Sequence, residues 1–191
     1  MVPSLSLWLS QRDRRRSVLK HLILPATPSQ LARRTSLSED ACSYTLTEFL
    51  ARRLAKCVNP KAARFRLYLL TRMGWQCRLI VIGQSDSKRG PRRLPLEFWR
   101  LYAEMLYPHR SAVIRTLIRP MQAAEIKRRA SLSDSNLRIS AGNVREVLKY
   151  LLEKGIVHRF SVPRSAYPRF ELTDLGEQHR EVLLEAEVRR S

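Results

Sequence analysis

The chain has 191 residues, of which 36 are Lys or Arg and 17 are Asp or Glu, so its formal net charge at pH 7 is +19. Hydrophobic residues make up 44% of it, which excludes a disordered polycationic tail and fits one or two compact domains. Such a cationic surface attracts polyanions, and no apolar run reaches the roughly 18 residues needed to span a bilayer, so nucleic acid is the expected partner and no membrane association is expected.

The N-terminal residues do not predict a secretory signal, because their charges follow the apolar segment instead of preceding it. The three cysteines are widely spaced and form no C-x-x-C pair, and the four histidines lack metal-ligand spacing. We find no Ser-His-acid set, no glycine-rich phosphate loop and no clustered carboxylate pair. We therefore expect a cytoplasmic protein that is not an enzyme and has no metal site or cofactor.

Residues 15–80 predict a first domain, in which three helices precede a two-stranded hairpin and a closing helix. The second helix begins with Thr27, Pro28 and Gln30, a capping threonine, a first-turn proline and an N3 glutamine that agree on one boundary. The hairpin follows in "NPKAARFRLYLL", shorter than its later counterpart, and Tyr68 is expected to anchor it to the core. The third helix is expected to carry one apolar side, formed by Leu46, Phe49, Leu50, Leu54 and Cys57.

Residues 81–95 contain Gly, Pro, Ser and repeated cations, which indicates a linker. Residues 96–107 then form an amphipathic, aromatic-rich pattern typical of a helix that connects the domains. We interpret it as an additional core helix beneath the second domain, with a homodimer through the Leu96–Leu106 helix or the terminal helices as the alternative. Residues 1–14 form an N-terminal extension, either a similar additional helix or a frayed end.

Residues 108–191 predict a second domain with the same order of elements. A polar turn, "SLSDSNLRIS", separates its second helix from a longer third helix that begins at an N-capping Ser140 and ends at Gly155. Two extended segments follow, with Phe170 expected in the core, and a closing helix begins near Asp174. The apolar stripe of the third helix is Val144, Val147, Leu148, Leu151 and Leu152.

The two domains also share sequence. Residues 18–39 match residues 113–134 at a constant shift of 95, with nine identities in 22 positions. The shift then becomes 98 and later 102, which places three of seven extra residues before the third helix of the second domain and four after it. This alignment puts Asn59 and Pro60 near the place of Gly155. Because loops absorb changes in length more easily than cores, the pattern indicates a tandem duplication.

The run "EVLKYLLEKGIVHRF" leading into "YPRFELTDLG" resembles the winged helix-turn-helix domains of MarR-like and ArsR-like transcription regulators. In the first domain the resemblance keeps "LLTRMG", residues 69–74, and overall it covers about residues 15–80 and 108–185. The resemblance implies a mainly α fold with small β-hairpins, of the α+β class, arranged as two tandem winged helix-turn-helix domains.

The resemblance also implies where DNA is contacted, since the second helix of such a motif enters the major groove and the wing grips phosphates. Glu48 and Glu146 face the groove in this scheme or are salt-bridge partners of nearby arginines. A repeated arginine pair, Arg33-Arg34 and Arg128-Arg129, either meets phosphate or faces water. The expected base readers are Thr45, Thr47, Arg52, Ser140, Asn143, Arg145 and Lys149, and the expected phosphate contacts are Lys61, Arg64, Arg66, Arg159, Arg164 and Arg169.

We therefore expect a sequence-specific binder of double-stranded DNA, a nucleoid-associated transcription regulator in which two winged helices in one chain replace a dimer. If both helices dock together, two unlike half-sites lie about 10 to 10.5 base pairs, or a multiple of that, apart. Two alternatives remain. One is a plasmid-type or viral-type replication initiator that binds origin repeats, and the other is a tandem winged-helix adaptor that binds proteins.

Overall fold

The computed structural model of this chain describes residues 3–83, 94–134, 136–161, 163 and 166–188. The chain divides into two compact units: unit 1 extends to Ala103, and unit 2 spans Glu104–Val188. Within the described residues, both units are mainly helical and each has one small antiparallel hairpin, which confirms the expected α+β class.

Unit 1 contains five complete helices and a hairpin within its described residues. A sixth helix begins in it and crosses the boundary after Ala103. Residues 84–93, most of the predicted linker, lie outside the described part of the chain. The elements are α1 Pro3–Ser10, α2 Asp13–His21, α3 Pro28–Thr35, α4 Glu39–Ala51, β1 Ala55–Cys57, β2 Tyr68–Leu70, α5 Arg72–Val81 and α6 Leu96–Met105.

Unit 2 continues from the end of α6 with the same succession of elements. Its hairpin pairs Val157 with Leu172, as the hairpin of unit 1 pairs Ala55 with Leu70. The elements are α7 Pro108–Thr116, α8 Ala123–Ser133, α9 Ala141–Glu153, β3 Val157–Phe160, β4 Arg169–Leu172 and α10 Asp174–Val188.

The elements of the two units correspond at two constant shifts. A shift of 95 residues carries α2 onto α7 and the start of α3 onto the start of α8. A shift of 102 carries α4, β1, β2 and the start of α5 onto α9, β3, β4 and the start of α10. All seven additional residues therefore lie before α9, three in the longer α8 and four in the loop that follows it, so the predicted placement of four of them after the third helix is wrong. The hairpin connections are equal in length, and the expectation of a shorter first hairpin is also wrong.

The end of the second helix explains the misplaced residues. In unit 1 the helix α3 stops at Thr35, and Ser36 adopts a left-handed conformation with φ 56°. In unit 2 the helix α8 continues through Ser133, so the first three residues of the predicted turn are helical. The repeated "SLS" letters thus take different structures, and the longer α8 and the loop that follows it together absorb the extra length.

A leading helix belongs to each copy of the repeat. The last residue of α1, Ser10, lies 95 residues before Met105, the last residue of α6. Of the two alternatives for residues 1–14, the structure shows the additional helix and not the frayed end, because α1 buries Trp8 and Leu9 in the core of unit 1. The extension and the predicted connecting helix are the same element of the repeat.

The helix α6 lies where the sequence predicted it, and its apolar side is covered within the chain. Phe98, Trp99, Tyr102 and Met105 are all buried, with the first three rings in successive edge-on contacts. These side chains are therefore not free to form the predicted homodimer contact. The boundary between the two units falls within α6, after Ala103. A homodimer through the terminal helices stays a prediction.

Two other sequence predictions are confirmed by the geometry. Thr27 caps α3 in a full capping box: its Oγ1 accepts from Gln30 N at 3.2 Å, while Gln30 Oε1 accepts from Thr27 N at 2.9 Å. Tyr68 and Phe170 are buried and join the hairpins to the helical cores through bridges to Ala26 and Met121. Each hairpin is therefore anchored at its base.

The junction between the third and closing helices is the same in both units. Two residues after the third helix of each copy, α4 in unit 1 and α9 in unit 2, the chain passes through a residue at positive φ. This residue is Arg53 (57°) in unit 1 and Gly155 (67°) in unit 2. The following amides, of Leu54 and Ile156, donate back to the third helix at 2.8 and 2.9 Å. Arg53, not Asn59 or Pro60, is thus the counterpart of the helix-ending glycine.

A threonine and a glycine complete this junction. Thr71 Oγ1 donates to Arg53 O at 2.7 Å and accepts from Gly74 N at 3.1 Å, and the equivalent Thr173 makes the same two bonds at the same distances. A Cβ on Gly74 would lie 1.9 Å from a backbone oxygen, and one on Gly176 would lie 2.2 Å from its equivalent. Only glycine therefore allows the closing helix to approach this closely.

Candidate nucleic-acid interface

The buried side of α4 differs from the predicted one. Ser38 caps the helix, and Cys42, Thr45, Leu46 and Phe49 face the core. Thr45 is fully buried, and its hydroxyl donates to Ala41 O at 2.7 Å, so its predicted role in reading bases is wrong. The prediction failed because it continued the helix through Leu54 and Cys57, which lie beyond its end at Ala51, and so rotated the stripe.

The exposed side of α4 carries no cation. Glu39 and Asp40 occupy its first turn, where they stabilise the positive end of the helix dipole. Ser43, Tyr44 and Thr47 follow along the same exposed surface, and the Thr47 hydroxyl donates to Ser43 O at 3.1 Å. Thr47 is thus exposed as predicted, but it lies on an acidic helix.

Glu48 is an ion-pair partner, the alternative that the sequence left open. Arg15 binds it through two bonds, Nε to Oε2 at 3.1 Å and an Nη to Oε1 at 2.6 Å, and Arg14 lies 3.5 Å away. The hydrogen bonds from Arg15 lower the pKa of the Glu48 carboxyl, and burial opposes them only partly. Glu48 is therefore held as a carboxylate inside unit 1 and does not face a groove.

Two nearby arginines stack on the indole ring of Trp8. The guanidinium of Arg15 lies 3.9 Å from the Trp8 ring centroid, and that of Arg52 lies 4.2 Å from it. Arg15 also donates to Trp8 O at 2.9 Å. Arg52, a predicted base reader, is exposed at the C-terminal end of α4 and stacks on the leading helix. Sequence reasoning missed this cluster, although the shift of 95 that aligns Arg15 with Arg110 could have signalled it.

Unit 2 builds the equivalent contact from other groups. Arg110 donates to Glu104 O at 3.0 Å and lies 3.7 Å from the centroid of Tyr150, the counterpart of Glu48. The Tyr150 hydroxyl donates to the Glu104 carboxylate, and Lys154 pairs with the same carboxylate at 3.3 Å. Burial, helped by this hydrogen bond, raises the pKa of Tyr150 to about 12. The leading helix is thus tied to the third helix in both units.

Two predicted base readers at the start of α9, Ser140 and Asn143, are hydrogen-bonded to each other. Ser140 is the N-cap, as predicted, and its Oγ accepts from Asn143 N at 3.0 Å. Asn143 Oδ1 accepts in return from the amide and the hydroxyl of Ser140, at 3.0 and 2.8 Å. Paired recognition of adenine needs both the oxygen and the amide nitrogen of an asparagine. Because the oxygen is already engaged, the predicted role of Asn143 requires breaking the cap.

The rest of α9 follows the sequence prediction. Val144, Val147, Leu148 and Leu151 are buried, and Leu152 is half-buried beside them. Arg145 and Lys149 lie on the opposite, exposed side one helical turn apart, and neither has an ion pair or hydrogen bond to another described residue. Glu146 is exposed between them. These two cations are therefore available to an anionic or hydrogen-bonding partner.

The hairpin of unit 1 carries an ordered basic loop. Asn59 holds it from within: its Oδ1 accepts from Leu67 N at 2.8 Å, and its Nδ2 donates to Phe65 O at 3.0 Å. Phe65 has φ 54° at the turn. The sequence did not reveal this role of Asn59. Four exposed cations lie on the hairpin, with no acidic residue from 55 to 70: Lys56, Lys61, Arg64 and Arg66.

The hairpin of unit 2 is less basic. Arg159 is exposed and Arg169 is half-buried, whereas Arg164 lies outside the described residues. His158 and Glu171 face each other across the strands, with Nε2 and Oε2 3.3 Å apart. The repeated arginine pairs also differ in their surroundings, since Arg33 and Arg128 are exposed and Arg129 lies 3.5 Å from the Glu125 carboxylate.

Other kinds of site find no support in the described part of the chain. It contains no group of three or more His, Cys, Asp or Glu side chains arranged to hold a metal ion. Cys42 and Cys77 are buried free thiols, and burial raises the pKa of both. Among the same residues, no helix has the length and apolar character needed to cross a bilayer.

Comparison with known proteins adds no assignment: no protein-family model, no curated protein and no solved structure matches this chain. A function is therefore argued from the chain's own residues.

Proposed function

We propose that this chain is a sequence-specific double-stranded DNA-binding protein, a transcription regulator that uses two winged helices in one polypeptide. The observation that carries the proposal is the surface of unit 2, where α9 exposes Arg145 and Lys149 and the neighbouring hairpin exposes Arg159. A helix of this kind fits the major groove, where Arg and Lys favour guanine, while hairpin cations hold phosphates.

The repeated architecture supports the proposal. Each unit has three packed helices, a hairpin anchored at its base and a closing helix locked by the Thr71 or Thr173 junction. This junction fixes the hairpin relative to the third helix. A fixed arrangement lets the helix contact the groove while the hairpin contacts the phosphates beside it. The formal charge of +19 adds long-range attraction to a polyanion.

The test is the dependence of duplex affinity on salt, measured by fluorescence anisotropy. If roughly 6 to 10 phosphates are neutralised, affinity falls about a thousandfold or more between 50 and 200 mM salt. A Ser43→Ala form serves as the control: it removes no charge, so its affinity is expected to depend on salt as that of the wild type does. Affinity that does not change over this range contradicts the proposal. A stoichiometric protein partner in a pull-down, without retention on DNA, would favour an adaptor instead.

A further inference from the structure

The two third helices are equivalent in position and opposite in character. The capping serines, Ser38 and Ser140, align them residue by residue at the shift of 102, and both helices have 13 residues. The helix α4 contains three carboxylates and no cation, whereas α9 contains two cations and two carboxylates. In a chain with 36 basic residues, a cation-free helix at the expected groove-reading position is a departure that needs explaining.

The pairs of equivalent positions make the difference concrete. Ser43 corresponds to Arg145 and Thr47 corresponds to Lys149, and all four side chains are exposed. Arg and Lys reach far enough to bond guanine edges at two acceptors, and serine and threonine offer short, nonselective hydroxyls. The Thr47 hydroxyl is moreover bonded to Ser43 O at 3.1 Å.

The first turn of α4 is also more acidic than the first turn of α9. Glu39 and Asp40 in α4 correspond to Ala141 and Gly142 in α9, and all four are exposed. Two carboxylates on the leading turn repel the phosphates that line a groove, with the repulsion acting over about a Debye length of 8 Å at physiological salt. Small, uncharged residues at the same positions let α9 approach a duplex closely.

In the hairpins, in contrast to the third helices, unit 1 is the more basic of the two units. Between residues 55 and 70 unit 1 carries four cations and no acid, whereas the equivalent residues 157–172 of unit 2 carry three arginines and Glu171. The loop of unit 1 is also braced by the two side-chain bonds of Asn59, which hold Lys61, Arg64 and Arg66 on a defined turn. Cations on a braced loop, without base-reading neighbours, suit contacts to phosphate, which is the same at every base pair.

We infer that the two copies divide DNA recognition: α9 reads base edges through Arg145 and Lys149, and unit 1 holds phosphates through its hairpin while α4 reads no bases. This inference rests on the proposed function and refines it. The bound sequence then has one contiguous block of specified base pairs, and the expectation of two unlike half-sites is replaced by one half-site with a sequence-independent anchor.

The experiment selects bound fragments from a pool of random duplex DNA with three forms of the full chain. These are the wild type, an Arg145→Ala and Lys149→Ala double variant, and the matched Ser43→Ala and Thr47→Ala double variant at the equivalent positions. Circular dichroism first checks that each form is folded. The wild type is expected to select one block. The first variant is expected to lose that block, with affinity for the selected duplex falling about 5- to 150-fold per residue.

The matched variant is expected to select the same block with unchanged affinity. A third comparison replaces Lys61, Arg64 and Arg66 with alanine. The affinity of this form is expected to fall equally for all sequences, and its log-log salt slope to shrink by about 1 per cation, without change in the selected block.

Three results overturn the inference in distinguishable ways. Two blocks about 10 to 10.5 base pairs apart, one of them lost in the Ser43→Ala and Thr47→Ala form, mean that α4 reads bases. Retention of duplexes without any preferred block removes the reading role of α9 but leaves DNA binding intact. Failure of the wild type to retain any duplex contradicts the proposed function itself, and the division of labour with it.

Discussion

Each unit builds the same junction, with Arg53 in unit 1 where unit 2 has Gly155, and the two units present different surfaces beside it. Arg53 and Gly155 hold the same left-handed turn, and Thr71 and Thr173 make the same bonds. The residues that face solvent on the third helices, in contrast, share no charged position: α4 is acidic, and α9 carries two cations. The comparison teaches that the interior of the repeat constrains both copies, and that the surface of each copy has specialised.

The largest expected effect tests whether the junction is equally strict in both units. Gly74→Ala and Gly176→Ala each place a Cβ about 2 Å from a backbone oxygen, which forces the closing helix outward and destabilises the unit by about 3 kcal/mol. All three tryptophans, Trp8, Trp75 and Trp99, lie in unit 1, so their fluorescence follows that unit, and circular dichroism follows the whole chain.

In urea unfolding, Gly74→Ala is expected to lower the midpoint of the fluorescence transition. Gly176→Ala is expected to act mainly on the transition seen by circular dichroism. Gly142→Ala is the control, because a Cβ there meets only the Ser140 hydroxyl at an ordinary 3.5 Å. A Gly74→Ala chain as stable as this control would disprove the close approach.

The second effect distinguishes the Arg15–Glu48 ion pair of unit 1 from the Tyr150–Glu104 hydrogen bond of unit 2. Glu48→Gln leaves the buried Arg15 without its counter-charge and is expected to lower the free energy of unfolding of unit 1 by about 2 kcal/mol. The folded-state pKa of Glu48 lies below its ordinary value of 4.5, so its stabilisation is complete above pH 4.5 and is lost as pH falls through the lower folded-state pKa.

The difference in stability between wild type and Glu48→Gln should therefore shrink on acidification below pH 4.5, as measured by fluorescence-detected urea unfolding. Tyr150→Phe, at the equivalent position, provides the matched control. This change removes a hydrogen bond but no charge, because a Tyr150 pKa of about 12 keeps the hydroxyl neutral. A pH-independent Glu48→Gln difference would rule out the ion pair as the source of stability.

The third effect has opposite signs in the two units. Arg53→Gly relieves a left-handed side chain and is expected to stabilise unit 1 by about 1 kcal/mol, whereas Gly155→Ala is expected to destabilise unit 2 by about the same amount. Arg53→Ala is the control, because it removes the long side chain and keeps the Cβ. If Arg53→Ala stabilises as much as Arg53→Gly, the arginine side chain and not the backbone is responsible.

The smallest effect on stability separates folding from binding at α9. There is room for a Cβ at Gly142. Because alanine has a higher helix propensity than glycine, Gly142→Ala is expected to stabilise unit 2 by roughly 0.5 to 1 kcal/mol. The same methyl group is expected to hinder close approach of α9 to a duplex and weaken DNA binding. Thermal unfolding and anisotropy measure the two quantities on one sample. Unweakened binding would show that this turn stays away from DNA.

The order of elements could be predicted from the sequence because strong local signals mark it. The capping boxes at Thr27 and Ser140 and the stripe of α9 depend on neighbours within a few residues. The helix α4 lacked such a signal at its end. An arginine stands there in place of glycine, so the predicted helix continued too far and Thr45 was assigned to the wrong side.

The candidate site was predicted less completely than the fold, for a physical reason. Exposed cations such as Arg145 and Lys149 follow from periodicity alone, since they oppose the buried stripe. Residues whose polar atoms are already engaged cannot be recognised in this way. Asn143 is held by the cap, Glu48 by Arg15, and Arg52 by Trp8, and the last two contacts join segments distant in sequence.

The most direct test of the account is amide hydrogen exchange of the full chain with and without a saturating duplex that carries the selected sequence. The two third helices are equal in length, so each serves as the reference for the other. We predict slower exchange with DNA in residues 141–153 and in the hairpin residues 56–67, and unchanged exchange in residues 39–51. Equal slowing in both third helices, or slowing in neither, would contradict the account.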